Sequence, residues 1–209
     1  MREWQTEDHA STYLERADRV PHRAAGEATL LDELPGRVRR VLDLGSGDGR
    51  LLNLVLTARP GAEGVAVDFS PHMLDQLRAR FGANPAVGIV GHDLDQPLPA
   101  LGRFDAVVSS FAIHHLPHER KRALYQEIWD LLEPCGVFCN LEHVLPVSAR
   151  AHERFLVAMG LTSKDEDPSN ILLDVETQLG WLREIGFDEV DCHWKWRELA
   201  LLAGKRPAV

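Results

Sequence analysis

At 209 residues with 44% hydrophobic side chains, the chain has the size and apolar content of one domain with an ordinary core. Its formal charge of -9 excludes a broad basic face for nucleic acid, because neutralising phosphates takes clustered Lys and Arg. The opening MREWQTEDHA has no apolar leader, no apolar run approaches the ~18 residues of a membrane span, and Cys135, Cys139 and Cys192 show no CxxC spacing. These features predict a cytoplasmic protein with free thiols and neither a membrane nor a nucleic-acid partner.

In chain order, HASTYLERADRV predicts an amphipathic helix, and RAAGEATLLDELPGRVRR after it reads as a solvated face. VRRVLDLG predicts the first strand and LLNLVLTARP its helix. GAEGVAVDFS gives a second strand, followed by PHMLDQLRARFG, a helix whose proline suits the first turn. AVGIVGHDL and FDAVVSSFAI are the third and fourth strands. PHERKRALYQEIWDLLEP predicts a helix ended by Pro134 and Gly136, with HERKRALYQE as another solvated face, and GVFCNLEHV is the fifth strand. After Pro146 the rhythm changes. SARAHERFLVAMGL reads as helix, TSKDEDPSN as a polar loop and VETQLGWLREIGF as helix, while DEVDCHWKW and ELALLAGKR are close enough to pair as an antiparallel hairpin. Strands alternating with amphipathic helices predict an α/β fold: a mostly parallel sheet with helices on both faces.

Gly45, Gly47 and Gly49 follow the first strand directly. In open α/β sheets ligands sit beyond the carboxyl ends of the strands, and glycines there let a ligand touch backbone while the next helix offers its N-terminus. Arg50 stands where a dinucleotide GxGxxG loop would have its third glycine, which counts against a nicotinamide dehydrogenase. Asp68 ends the second strand, where a carboxylate can accept hydrogen bonds from both ribose hydroxyls. Asp93 follows the third strand, within reach of an exocyclic amine.

DLGSGDG, VDFSPHML, GHDL, FDAVVSSFAIHHL and LLEPCGVF, in that order, resemble the class I S-adenosylmethionine-dependent methyltransferases of the small-molecule branch. The resemblance implies a Rossmann-like seven-stranded sheet, mostly parallel, with an antiparallel last strand. It implies one methyltransferase domain over residues 1–209, with 1–35 as a helical cap and 146–175 as a substrate-side insertion or lid. S-adenosyl-L-methionine is the cofactor it implies. Gly45, Ser46, Gly47 and Gly49 would line the methionine part and Asp43 would support its ammonium. Asp68 would bind the ribose, Phe69 and Met73 would pack on the adenine, Asp93 and Leu94 would hold its edge, and Ser110 and Phe111 would lie beneath. Cys135 departs from the family, which has glycine in that turn.

Methyl transfer needs an acceptor held in line, and a base where the acceptor carries a proton of high pKa. His115, after the fourth strand, and Glu142 with His143, ending the fifth, are the candidate catalytic residues, since imidazole titrates near neutral pH. The ten histidines show no tight ligand spacing such as HExxH, so no metal site is assigned. Trp4, Tyr13, Arg16, Arg19 and the 146–170 stretch, which match the family least, would recognise the small-molecule acceptor, with Arg16, Arg19 and Arg23 either meeting an acidic substrate or forming surface salt bridges. Trp194 and Trp196 share one face of a strand, as core or as the surface of a homodimer. Two alternatives stay open: a carboxy-S-adenosylmethionine synthase-like enzyme, and a nucleoside-binding interaction module without turnover.

Overall fold

Val41, Leu42 and Leu44 have no exposed surface, and a strand covered on both faces is what the near-continuous apolar run of the first strand requires. The computed structural model describes residues 20–208, so the candidate contacts Trp4, Tyr13, Arg16 and Arg19 and most of the expected 9–20 helix lie outside the described residues. The elements are α1 (Arg23–Glu33), β1 (Arg40–Leu44), α2 (Arg50–Ala58), β2 (Glu63–Asp68), α3 (Pro71–Phe81), β3 (Val87–Gly91) and β4 (Phe104–Ser110). A single 3-10 turn at Ile113–His115 leads to α4 (His118–Leu131), β5 (Leu132–His143), α5 (Ala149–Met159), α6 (Val175–Ile185), β6 (Asp188–Trp196) and β7 (Leu199–Lys205).

The seven strands lie in the order β3-β2-β1-β4-β5-β7-β6. Leu42 pairs in parallel with Val65 of β2 and Val107 of β4, and Val108 with Cys139 of β5, whereas Asn140 pairs with Leu202 of β7 in antiparallel register. β7 also runs antiparallel to β6, so it is the one reversed strand of the sheet. The chain leaves β1 for β2 and β3 on one side and returns to β4 on the other, which opens a crevice above the carboxyl ends of β1 and β4.

Alternation along β1 divides the core. Val41 packs with Leu30 of α1, Leu52 and Val55 of α2 and Leu77 of α3, while Leu42 and Leu44 pack with Leu124 and Ile128 of α4 and Leu182 of α6. Among the described residues no helix is long and apolar enough to cross a membrane.

Three sequence expectations change. The first concerns α4, which ends at Leu131, three residues before Pro134, because Leu132 already pairs with Phe104 in β5. Arg206 donates to the Trp129 and Leu132 carbonyls, supplying side-chain donors where the helix ends, and Cys135 takes a positive φ of 65° in the turn that follows. The second is the run expected to be a solvated face: it contains α1, whose Arg23, Glu27 and Leu30 are buried as the helix packs on β5, β6 and β7. The third is Lys121, expected on the solvated face of α4 but fully buried. Trp194 is half-buried and packs against core residues, and Trp196 stacks near His22 and Phe155.

Gly49 is the N-cap of α2, with φ 82°, and a Cβ there would meet Phe81 Cε2 at 2.4 Å and Leu77 Cδ2 at 2.9 Å. Gly49→Ala combines left-handed strain with overpacking, so we expect it to lower stability by roughly 2–4 kcal/mol in urea denaturation followed by circular dichroism.

Candidate active site

The Gly45–Gly49 loop is held between β1 and β2 by its own serine. Ser46 Oγ donates to the Asp43 carbonyl (2.8 Å) and accepts from the Val67 N–H (3.0 Å), and the Ser46 N–H donates to the Val67 carbonyl (2.9 Å). Gly45, at φ 67°, brings the loop so close to the chain after β4 that a Cβ would stand 2.2 Å from Ala112 Cβ. Arg80 of α3 clamps the loop from outside, donating to the Asp48 carbonyl and carboxylate at 2.7 and 2.6 Å.

Beside this loop lies a cavity of about 320 Å³. Asp43, Gly45, Ser46 and Gly47 line it from β1 and its loop, Asp68, Phe69 and Met73 from the end of β2 and the start of α3, and Ser110, Phe111 and His115 from beyond β4. Leu94 and Leu116 complete its apolar wall. Of the residues expected there, Gly49, Asp93, Glu142 and His143 do not line it. Gly49 shapes the start of α2, and Asp93 Oδ1 accepts the Asp95 N–H at 3.0 Å to close the turn that presents Leu94.

Asp43 is 1% exposed, and among the described residues neither of its carboxylate oxygens has a hydrogen-bond partner. Burial, with the Asp68 and Asp48 carboxylates adding repulsion, pushes its pKa up to about 7 against the lowering pull of the nearby Ser46 hydroxyl and Leu52 N–H, neither of which reaches hydrogen-bond geometry with the carboxylate. Ser70 Oγ and Ser110 Oγ, also at the cavity, are buried and unpaired in the same way. Buried polar atoms are normally satisfied, so four orphaned oxygens at one cavity fit a polar ligand carrying a cation for Asp43. Asp68 Oδ2 accepts the Gly47 N–H and Oδ1 the Ser70 N–H, both at 2.9 Å; each oxygen keeps a second lone pair for a ligand hydroxyl. Burial raises the Asp68 pKa, and these N–H donors offset part of the rise.

Sequence reasoning placed Arg23 near the cap, for an acidic substrate or a surface salt bridge, but missed the wall it forms with Glu27 and Arg50. Glu27 of α1 accepts from Arg23 Nε (2.8 Å) and from Arg50 Nε (2.9 Å), and both arginines line the cavity. Burial alone would raise the Glu27 pKa, but the Arg50 and Arg23 guanidiniums outweigh it and hold it below the usual range. Arg23 lies over the Phe111 ring (5.4 Å to its centre), whose backbone takes an unusual φ of 53°.

Behind His115 lies a second polar layer. His114 Nδ1 and Glu142 Oε1 are 2.6 Å apart, Asn140 Nδ2 donates to Glu142 Oε2, and Tyr125 donates to Gln178 of α6. Lys121 Nζ donates to the His114 carbonyl (3.1 Å), the Ile171 carbonyl (2.6 Å) and the Leu116 carbonyl. Burial holds the His114 pKa well below the ordinary imidazole range, raises Glu142 to about 7 and lowers Lys121 to about 8. Counting the helical period would have found Lys121, which falls on the buried stripe of Leu124, Tyr125 and Ile128.

His143 sits apart, its Nε2 3.3 Å from Glu198 Oε2, and Glu198 also pairs with His152 Nδ1 (3.0 Å). Glu198 and Glu166 bonds raise the His152 pKa against the opposing effect of burial. Among the described residues no group of three or more His, Cys, Asp and Glu side chains could hold a metal ion.

The Asp43 shift fixes a sign. The folded chain holds the Asp43 proton up to about pH 7 while the unfolded chain releases it near 4, so ligand-free stability falls as pH rises between them. We expect Asp43→Asn to stabilise the ligand-free protein by roughly 3 kcal/mol at pH 8 and to change little at pH 4, measured by urea denaturation at both.

Residues 41–136 match a family model described as a methyltransferase domain. A demethylmenaquinone methyltransferase of Clavibacter sepedonicus is 31% identical over 180 residues, covering 78% of this chain and 71% of the relative. A magnesium-protoporphyrin O-methyltransferase of Rhodobacter capsulatus is 40% identical over 94 residues, but the match spans only 45% of this chain and 40% of that protein. The structure of an O-methyltransferase family protein from Burkholderia thailandensis superposes with a TM-score of 0.75 at 21% identity, covering 98% of this chain and 62% of that one. With this sheet order, a glycine loop over an unpaired buried carboxylate and these relatives, the chain belongs to the class I S-adenosylmethionine-dependent methyltransferases.

Proposed function

We propose that this protein transfers the methyl group of S-adenosylmethionine to a small organic acceptor bound between the cavity and the 146–175 segment. The observation that carries this reading is Asp43, a buried carboxylate with no partner, in one cavity with Asp68 and an apolar wall. Asp43 takes the ammonium and the Arg23–Glu27–Arg50 group flanks it. Asp68 takes the ribose hydroxyls, Phe69, Met73 and Leu94 cover the adenine, and Asp93 meets its edge from the turn it closes. Ser110 and Phe111 form the floor. The relatives named for demethylmenaquinone and magnesium-protoporphyrin support an organic acceptor, without fixing which one.

Bound there, S-adenosylmethionine supplies a methyl carbon whose new bond to the acceptor replaces its bond to sulfur, so the thioether leaves neutral and the acceptor's proton remains to be placed. His115 receives that proton, because it is the one of the three candidate catalytic residues that lines the cavity. Burial lowers its pKa to about 3, with the neighbouring His114 adding to the effect, so the ring is neutral at working pH but weakly basic, and Asp167 and Glu142 are the charges that favour its protonated form. Glu142 acts from behind by holding His114, and His143 borders the acceptor side with Glu198.

Calorimetric titration with S-adenosylhomocysteine tests the cofactor site. We expect micromolar binding that weakens below about pH 7, by up to about tenfold per unit, as Asp43 protonates. Asp43→Asn should cost about 30-fold in affinity and remove the pH dependence; a variant that binds like the parent at every pH would overturn the assignment. His115→Ala should keep S-adenosylhomocysteine affinity within about twofold yet lower turnover of an accepted substrate by ~100-fold, and unchanged turnover would remove the base from the mechanism.

A further inference from the structure

His115 does not face the cavity with two equivalent nitrogens. Its Nδ1 lies 2.9 Å from Ser169 Oγ and 3.3 Å from the Ser169 carbonyl. A carbonyl oxygen only accepts, so Nδ1 carries the proton. The Ser169 hydroxyl is committed as well, since it donates to Asp167 Oδ1 at 2.6 Å and therefore accepts from the ring. The same Asp167 oxygen accepts the Ser169 N–H at 2.9 Å, closing a small turn that sets the hydroxyl in place.

This turn belongs to the segment between α5 and α6, more than fifty residues from His115 in sequence, and it is fastened to the His114–His115 turn. The Ile171 N–H donates to the His114 carbonyl at 3.0 Å, and Lys121 Nζ bonds the His114 and Ile171 carbonyls together. Ser169 is thereby registered against the imidazole by backbone contacts on its carboxyl side.

We propose that Ser169, anchored by Asp167, is a positioning residue that fixes His115 as the Nδ1–H tautomer and so makes Nε2 the nitrogen that accepts the acceptor's proton. The proposal rests on His115 being the base, and it gives the substrate-side segment a direct part in the chemistry. With the 162–170 loop seated, the ring has one tautomer and one orientation; with it displaced, both are lost. The arriving proton adds a positive charge to a ring crowded by His114 of its own turn and favoured by Asp167 of the loop and Glu142 of β5. Asp167 is thus both the anchor and a compensating charge.

The test is nitrogen-15 spectroscopy of histidine-labelled full-length protein, with and without S-adenosylhomocysteine, across pH 5 to 8. Coupling patterns of His115 should show the Nδ1–H tautomer in excess by about tenfold in the parent, falling to about threefold in Ser169→Ala and Asp167→Ala, where the carbonyl of residue 169 remains as an acceptor, and restored in Ser169→Thr. Calorimetry on the same samples should show S-adenosylhomocysteine bound as in the parent. An Nε2–H ring in the parent, or a ring unchanged in Ser169→Ala, overturns the proposal while leaving the cofactor site standing. Loss of S-adenosylhomocysteine binding by the parent would instead strike the methyltransferase reading itself. With an accepted substrate, Ser169→Ala should lower kcat by about tenfold with KM within about twofold; a change confined to KM would make Ser169 an acceptor contact and overturn the positioning role.

Discussion

Placing Asp43 next to last in the doubly covered β1 deprives a carboxylate of water, and the parts around it follow from how the chain accommodates that charge. Ser46 spends its hydroxyl on the Asp43 carbonyl rather than on the carboxylate, which ties down the loop and leaves the acid unsatisfied. Asp68 lies close enough to repel it, yet is itself stabilised by two backbone N–H groups from the loop and the start of α3. The folded protein thus stores an unfavourable charge that a cationic ligand relieves, and differential stabilisation of the liganded state is the thermodynamic content of a binding site.

The other half of the crevice handles charge differently. Lys121, Glu142, His114, Asn140, Tyr125 and Gln178 are all buried, and apart from Asn140 Oδ1, which has no partner among the described residues, they bond one another and nearby backbone carbonyls. It joins α4, β5 and α6 to the turn that carries His115. A cavity with four unpartnered oxygens therefore stands against a largely bonded wall, and His115 is placed between the two.

Much of this was legible in the sequence because it is written in backbone requirements. Three glycines after an apolar run dictate a tight loop, Asp68 at a strand tip dictates where a carboxylate points, and alternating runs dictate a parallel sheet. Asp174 and Gly186 mark the ends of α6 where capping chemistry puts them. The hidden parts depend on partners distant in the chain. Arg23 and Arg50 meet over Glu27 only because α1 packs against α2, and nothing local distinguishes Glu27 from a solvated acid. Lys121 looks like surface until its three carbonyl acceptors are assembled from two separate segments. The sequence also could not show that the Asp93 side chain closes a turn by accepting the Asp95 N–H. The early end of α4 likewise came from pairing between Leu132 and Phe104, which overrode the proline signal.

β7 runs against every other strand, and this gives the two ends of the β6–β7 hairpin opposite surroundings. Its turn delivers Glu198 to His143 and His152 at the crevice end of β5, while Lys205 pairs with Val137 near the other end of that strand. The polypeptide after Lys205 accordingly departs from the side of the sheet away from the ligand. An immobilisation tether or fluorescent reporter joined there would leave the crevice unobstructed, whereas one grafted into the hairpin turn would crowd it.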